Sequence, residues 1–248
     1  QDMTETERGF RAQAYYRTRT KRSDSIDDDS KIHTDILAAA KNGNCAMVRE
    51  LVKSGQPVNC RNQSDWTPLH FASNRGSDEI CAFLIENKAS VDAQTKDNLW
   101  TCLHEAQNGA VAKRLLEAAA SPNSVDSWGQ TPLHRACTGG RVDVVKVLLQ
   151  FGASASIADG RGRTPLHIAA WQGSAMSVEE LVRYGARTDA VDSDGRTPLE
   201  LSSLHFAAEA ALKRIRAQEV RQATDAAAAA AATPAAKSVA GDRGAGGA

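Results

Sequence analysis

The sequence predicts an all-α repeat protein in which each unit supplies two short helices and a polar turn, and three observations predict it. A Thr-Pro-Leu-His motif returns along the 248-residue chain at a nearly constant interval, two glycines keep fixed distances from it, and an aliphatic pair keeps a third. Thr67-Pro68-Leu69-His70 recurs as Thr101-Cys102-Leu103-His104, Thr131-Pro132-Leu133-His134, Thr164-Pro165-Leu166-His167 and Thr197-Pro198-Leu199-Glu200, at spacings of 34, 30, 33 and 33 residues. A weaker copy, Thr34-Asp35-Ile36-Leu37, stands 33 residues before the first. The units fall near 34–66, 67–100, 101–130, 131–163, 164–196 and, as a C-terminal cap, 197–221. Self-similarity at such a period marks a stack, because a single unit cannot bury its own apolar face.

Within a unit, the threonine is an N-cap and the proline occupies the first helical position, where its missing N–H costs nothing. Gly43, Gly76, Gly140 and Gly173, nine residues after the threonine, end that first helix. A second, amphipathic helix turns Leu51-Val52, Leu84-Ile85, Leu148-Leu149 and Leu181-Val182 inward, and Gly55, Gly152 and Gly185 stop it. Polar segments such as Asp126-Ser127-Trp128-Gly129 and Asp192-Ser193-Asp194-Gly195 then make turns too short for a third helix.

Motif, period and both glycine positions resemble the ankyrin repeat family over roughly residues 32–216, about three quarters of the chain. The resemblance implies an ankyrin-repeat solenoid of antiparallel helix pairs, with β-hairpin or turn fingers projecting at the edge of a concave face. It also implies a structural task for His70, His104, His134 and His167, which steady the turn and the helix start. Residues 31–221 are expected to form this domain.

Three units depart from the pattern. Lys88 replaces the second glycine of the second unit, and the finger at 94–100 is one residue longer than the others. The third unit lacks three residues between Ala106 and Leu115 and has Cys102 in place of proline, which predicts a shortened helix pair. In the last unit Phe206 stands at the glycine position, so a helix is expected to run on through Leu212, Ile215 and Val220 without a turn. Outside the stack, residues 1–30 set a basic block, 17–22, against an acidic one, 23–30, and residues 222–248 are rich in Ala and Gly; both tails are expected to be disordered.

Composition narrows function. Thirty Lys plus Arg balance thirty Asp plus Glu, so the basic field that nucleic acid or an anionic membrane requires is missing. No window approaches the apolar length of a membrane span, and an intracellular protein, cytoplasmic or nuclear and monomeric when free, is expected. Five cysteines without a C-x-x-C pair argue against a disulfide frame or a zinc site. His104-Glu105 opens like a zinc-protease helix, but the second ligand position is Asn108. No phosphate-binding glycine loop or Gly-x-Ser-x-Gly elbow occurs, and the repeats leave no room for a separate catalytic domain. The expectation is a non-enzyme without cofactor or metal.

The candidate residues lie on the fingers and the concave face. Trp66, Trp100, Trp128 and Trp171 map to positions that, by the resemblance, face the concave surface, and tryptophan is enriched in binding hot spots. Arg161, Arg163 and Arg196 make the last two fingers basic, against Asp65 and Asp97 earlier. Glu105 and Arg135, aligned in neighbouring units, are expected to form a surface pair worth about 0–1 kcal/mol. Ser25, followed by Asp27 and Asp28, is a candidate phosphorylation site. Together these residues point to a module that binds another protein or peptide as an adaptor, scaffold or assembly subunit. The other reading is a structural subunit of a large assembly, or a regulatory segment of a longer polypeptide.

Overall fold

A computed structural model describes residues 34–202 and 205–231. Among these there are eleven helices and no strand. In chain order they are α1 (Thr34–Asn42), α2 (Cys45–Lys53), α3 (Pro68–Arg75), α4 (Asp78–Glu86), α5 (Gly109–Glu117), α6 (Pro132–Thr138), α7 (Val142–Gln150), α8 (Pro165–Trp171), α9 (Ala175–Arg183), α10 (Pro198–Leu201) and α11 (Phe206–Ala231). The chain is thus the helix-pair solenoid that the repeat predicts. First helices form one layer, in which α1 packs on α3, α6 on α8 and α8 on α10. Second helices form the other, running α2, α4, α5, α7, α9 and α11.

The core lies between the layers. Leu69, Leu103, Leu133 and Leu166 of the motif are buried, as are Leu84, Leu148 and Leu181 of the aliphatic pairs. Burying each such side chain stabilises the stack by about 1.5–3 kcal/mol. Charged side chains tie the second helices together outside: Arg49 to Glu79 at 3.3 Å, Arg114 to Asp78 at 2.5 Å, Lys146 to Glu180 at 3.8 Å, and Arg214 to Glu179.

Each motif histidine bridges two units. Its Nδ1 accepts the backbone N–H of the motif threonine, at 3.2 Å in His70 and 3.1 Å in His104, His134 and His167. Its Nε2 donates to a carbonyl of the following finger: Trp100, Gln130, Arg163 or Arg196, at 3.0–3.1 Å. An amide only donates and a carbonyl only accepts, so the neutral Nε2–H tautomer alone satisfies both contacts. Burial accordingly pushes His104 down to about 3 and His134 to about 4, and lowers His70 and His167 as well.

The fingers are closed turns linked in a ribbon. In residues 62–66, 126–130, 159–163 and 192–196, the side-chain oxygen of Asn62, Asp126, Asp159 or Asp192 accepts the amides two and four residues on. The longer second finger closes one residue later, through Thr95 and Trp100. One backbone hydrogen bond joins each finger to the next: Lys96 to Ser64, Ser127 to Asn98, Gly160 to Trp128 and Ser193 to Arg161, at 2.8–3.0 Å.

Three expectations about the fold need correction. The third unit is not a uniformly shortened pair: its second helix, α5, keeps nine residues, and the whole loss falls on the first helix, which becomes tight turns at 102–105. His104, Glu105 and Ala106 bond to carbonyls only three residues back, and no helix there bridges α3 to α6. Neither does the cap run on without a turn. Helix α10 stops at Leu201, His205 donates its amide to the Ser202 carbonyl at 2.7 Å, and Phe206 opens a separate helix that buries Ala208, Ala211 and Leu212. That helix continues to Ala231, so residues 222–231, expected to be disordered, are helical: alanine has the highest helix propensity and prolongs a helix already nucleated on the stack. Ser25, the tail at 1–30 and the stretch from 232 onward lie outside the described residues.

Candidate interaction site

The second and third fingers, the turns at 102–105 and the helices α3 and α6 meet in one polar and aromatic cluster. The Arg135 guanidinium lies 4.2 Å from the centre of the Trp100 ring and donates to Glu105 Oε1 at 3.0 Å. Glu105 Oε2 takes Asn74 Nδ2 at 2.5 Å, and Trp100 Nε1 donates to Asp126 Oδ2 at 3.2 Å. The Trp128 ring is tilted against Trp100, with centroids 6.1 Å apart. Burial pushes the Asp126 carboxyl up, although its other oxygen holds two finger amides.

The Glu105–Arg135 pair is therefore not a surface pair. The Glu105 side chain is 4% exposed and that of Arg135 11%. Glu105 sits in the turns that replace a first helix, which carry it inward between neighbouring units. Removing one partner strands the other charge, a loss of about 3–5 kcal/mol for buried pairs rather than a fraction of one.

The cluster includes Trp100, Trp128, Glu105 and Arg135 and leaves the other candidates outside it. Trp66 packs 4.9 Å from Phe71 and 5.8 Å from His70 of the next unit, ring centre to ring centre. Trp171, half-buried at the end of α8, makes no ring or guanidinium contact among the described residues. The three finger arginines also separate. Arg163 binds Asp159 at 2.7 Å, and Arg196 binds Asp192 at 3.1 Å and Asp194 at 2.5 Å. Burial raises the Asp159 and Asp192 carboxyls, but the finger amides and these guanidiniums outweigh it and hold both below the usual range. Two arginines thus neutralise their own fingers, while the Arg161 side chain is exposed and forms no ion pair among the described residues.

Three contributors escape a reading of the motif alone. Asn74 and Asp126 orient Glu105 and Trp100, and Leu99 stands 42% exposed at φ 57°, where the third, fourth and fifth fingers have Gly129, Gly162 and Gly195. Counting back five residues from Thr131, Thr164 and Thr197 finds the finger carboxylates Asp126, Asp159 and Asp192; nothing local marks Asn74. Among the described residues no group of three or more His, Cys, Asp or Glu side chains is placed to hold a metal ion, and no helix is long and apolar enough to cross a membrane.

Known proteins share this architecture. A family model described as ankyrin repeats (3 copies) matches residues 36–126 and 106–192, together more than half of the chain. Alpha-latrotoxin-Lg1a of Latrodectus geometricus is 38% identical over 109 residues, 42% of this chain and 8% of the toxin. Human Rabankyrin-5 is 32% identical over 140 residues, 46% of this chain and 12% of its own length. Diacylglycerol kinase zeta of Rattus norvegicus is 31% identical over 107 residues, 41% of this chain and 11% of the kinase. The matches span about a tenth of these relatives, one named a toxin and another a kinase, so what is shared is the repeat. With the motif, the histidine bridges, the finger ribbon and the family match in agreement, the chain belongs to the ankyrin repeat family.

Proposed function

We propose that the described solenoid is a non-enzymatic protein-binding module, an adaptor, scaffold or assembly subunit, that holds a partner across its second to fourth fingers and the adjoining concave face. Ankyrin repeats generally mediate protein–protein interaction. The observation that carries the assignment to these fingers is half-exposed Trp128 packed on a locked base of Trp100, Arg135 and Glu105, with Leu99 and Val125 exposed in the same stretch of chain. Rigid aromatic surface held by buried ion pairs is what a binding hot spot requires. Exposed Arg161 adds a charge that steers association.

Trp128→Ala combined with Arg161→Ala tests this. Crosslinking with mass spectrometry in native lysate is expected to lose a partner that the wild type captures, with thermal unfolding shifted by only a few degrees. A crosslink pattern identical to wild type would refute the assignment. A second reading, a regulatory segment of a longer polypeptide, is favoured by relatives in which the matched stretch is a minor part. Elution of native material as part of a larger single polypeptide on denaturing gels would support it.

A further inference from the structure

Helices α2, α4, α5, α7 and α9 each end in a loop that leads to the next finger. The loops share a pattern: Gly-Gln-Pro-Val-Asn at 55–59, Lys-Ala-Ser-Val-Asp at 88–92, Ala-Ala-Ser-Pro-Asn at 119–123, Gly-Ala-Ser-Ala-Ser at 152–156 and Gly-Ala-Arg-Thr-Asp at 185–189. The fifth residue of a loop holds the backbone of the loop after it. Asn59 accepts the Ser90 amide at 2.8 Å and donates to the Lys88 carbonyl at 3.1 Å. Asn123 accepts the Ser154 amide at 2.8 Å and donates to the Gly152 carbonyl at 3.5 Å, and Asp92 accepts the Ser121 amide at 3.0 Å. Ser156 departs, pairing its hydroxyl with that of Ser154 at 3.0 Å.

The sixth loop does not form. Counting 33 residues on from Gly185 reaches Gln218, but α11 runs through that position to Ala231. Asp189, the fifth residue of the fifth loop, thus has no following loop to hold, and it pairs with Arg187 of its own loop through two contacts of 3.1 Å. Its carboxylate keeps lone pairs beyond the two that Arg187 takes.

Where that loop would lie, a cleft of about 510 Å³ separates the fifth loop from α11. Val182, Ala186 and Val220 give it an apolar wall, and Asp189 and Arg216 line it as well. It is open to solvent: the Arg187 and Asp189 side chains are 73% and 59% exposed, and Val220 is 63% exposed. Half-buried Arg216 forms no hydrogen bond or ion pair among the described residues, whereas Glu219 is held by the Thr188 hydroxyl at 3.0 Å. The cleft therefore offers an acceptor for an amide, a donor for a carbonyl, and apolar surface beside them.

We propose that this cleft binds an extended, uncharged segment of a partner protein, a small residue followed by a β-branched one, in the place of the sixth loop. One amide of the segment donates to Asp189 and a carbonyl accepts from Arg216, the pair of backbone contacts that Asn59 and Asn123 make to the loops after them. The segment continues the row of loops as an added strand continues a sheet edge. Its β-branched side chain meets Val182 and Val220, as Val58 and Val91 of the first two loops pack on the core. The proposal rests on the protein-binding reading above and gives it a second surface, separate from the fingers.

The test uses the full chain and a pentapeptide, Gly-Ala-Ser-Val-Asn, blocked at both ends and built from residues the loops themselves favour. NMR titration is expected to give saturable shifts of the Thr188, Asp189 and Val220 amides. Methylating the serine amide nitrogen of the peptide, or replacing its valine by serine, should weaken binding at least fivefold. Asp189→Ala should weaken it as much, while Asp189→Asn, which keeps the acceptor that Asn59 and Asn123 use, should bind within about twofold of wild type. Exposed Lys113→Gln on α5 should change nothing, and the urea midpoints of all three variants should stay at wild type. Equal binding of the methylated peptide, or by Asp189→Ala, would overturn the proposal. Binding at least tenfold tighter once the chain is shortened at Ala231 would overturn the partner assignment in favour of the chain's own residues 232–248. A doubled mass that the peptide reverses would overturn it in favour of a second copy. A failed titration beside a persistent partner crosslink sensitive to Trp128 would remove this surface alone; loss of that crosslink beside intact peptide binding would remove the finger assignment alone.

Discussion

At the four motif histidines, a second proton would set an N–H against an amide N–H. The folded protein resists protonation there while the unfolded chain accepts it near pH 6.5, so the folded pKa lies below the unfolded one. Stability is fully present above pH 6.5 and is lost as pH falls toward the folded values of about 3 and about 4 at His104 and His134. Between pH 7 and 5.5 His104 and His134 should each lower stability by about 1 kcal/mol, read as a falling urea midpoint. His134→Gln should reduce that slope. The thiols act at the other limit: burial raises Cys60 to about 11 and Cys81 and Cys137 to about 12, so stability should decline again above about pH 8.5, where the unfolded thiols ionise. Glu105→Ala, which strands Arg135, should lower the unfolding free energy by about 3 kcal/mol in a denaturant titration. The alignment of these two residues is legible in the repeat. Their depth is not, because it depends on how closely the neighbouring units close around the pair.

Helix ends show where local rules yield to the stack. Gly55, Gly152 and Gly185 close second helices at φ between 82° and 93°, but the equivalent places in the second and third units hold Lys88 at φ 67° and Ala119 at φ 66°. A side chain in this left-handed region costs about 1–2 kcal/mol, so Lys88→Gly and Ala119→Gly should each stabilise by about 0.5–1 kcal/mol in urea unfolding. The Lys88 departure is visible in sequence. That of Ala119 is hidden by the three-residue deletion upstream, which displaces the count from the motif. Similarly, Phe206 falls at the glycine count but begins a helix, because the preceding helix already ends four residues earlier at the buried Ser202. Finger charge was misleading for a related reason: the spacing that makes a turn also puts Arg163 and Arg196 four residues from a carboxylate.

Across the whole molecule, units touch only their neighbours, so each end must be sealed. Helix α11 covers α9 with Ala208, Ala211 and Leu212. Truncation after Ala190 removes that cover; the product is expected to aggregate, with light scattering rising at temperatures where the full chain stays clear. A soluble, cooperatively unfolding product would show that the cap is dispensable. The solenoid itself is legible because a repeat states the same instruction several times, and an error in one copy is corrected by the rest. What binds to it is not repeated, and must be read from single exceptions such as Leu99 and Trp128.

The missing first helix has one more effect. The layer of second helices is continuous from α2 to α11, whereas the layer of first helices is interrupted between α3 and α6, where the turns at 102–105 stand in for a helix. Under tension applied through its ends, such a body should yield like a sheet creased on one side. Optical-trap extension is expected to open at the third unit first, giving two lengthening steps, with the second-helix layer as the hinge about which the halves swing apart.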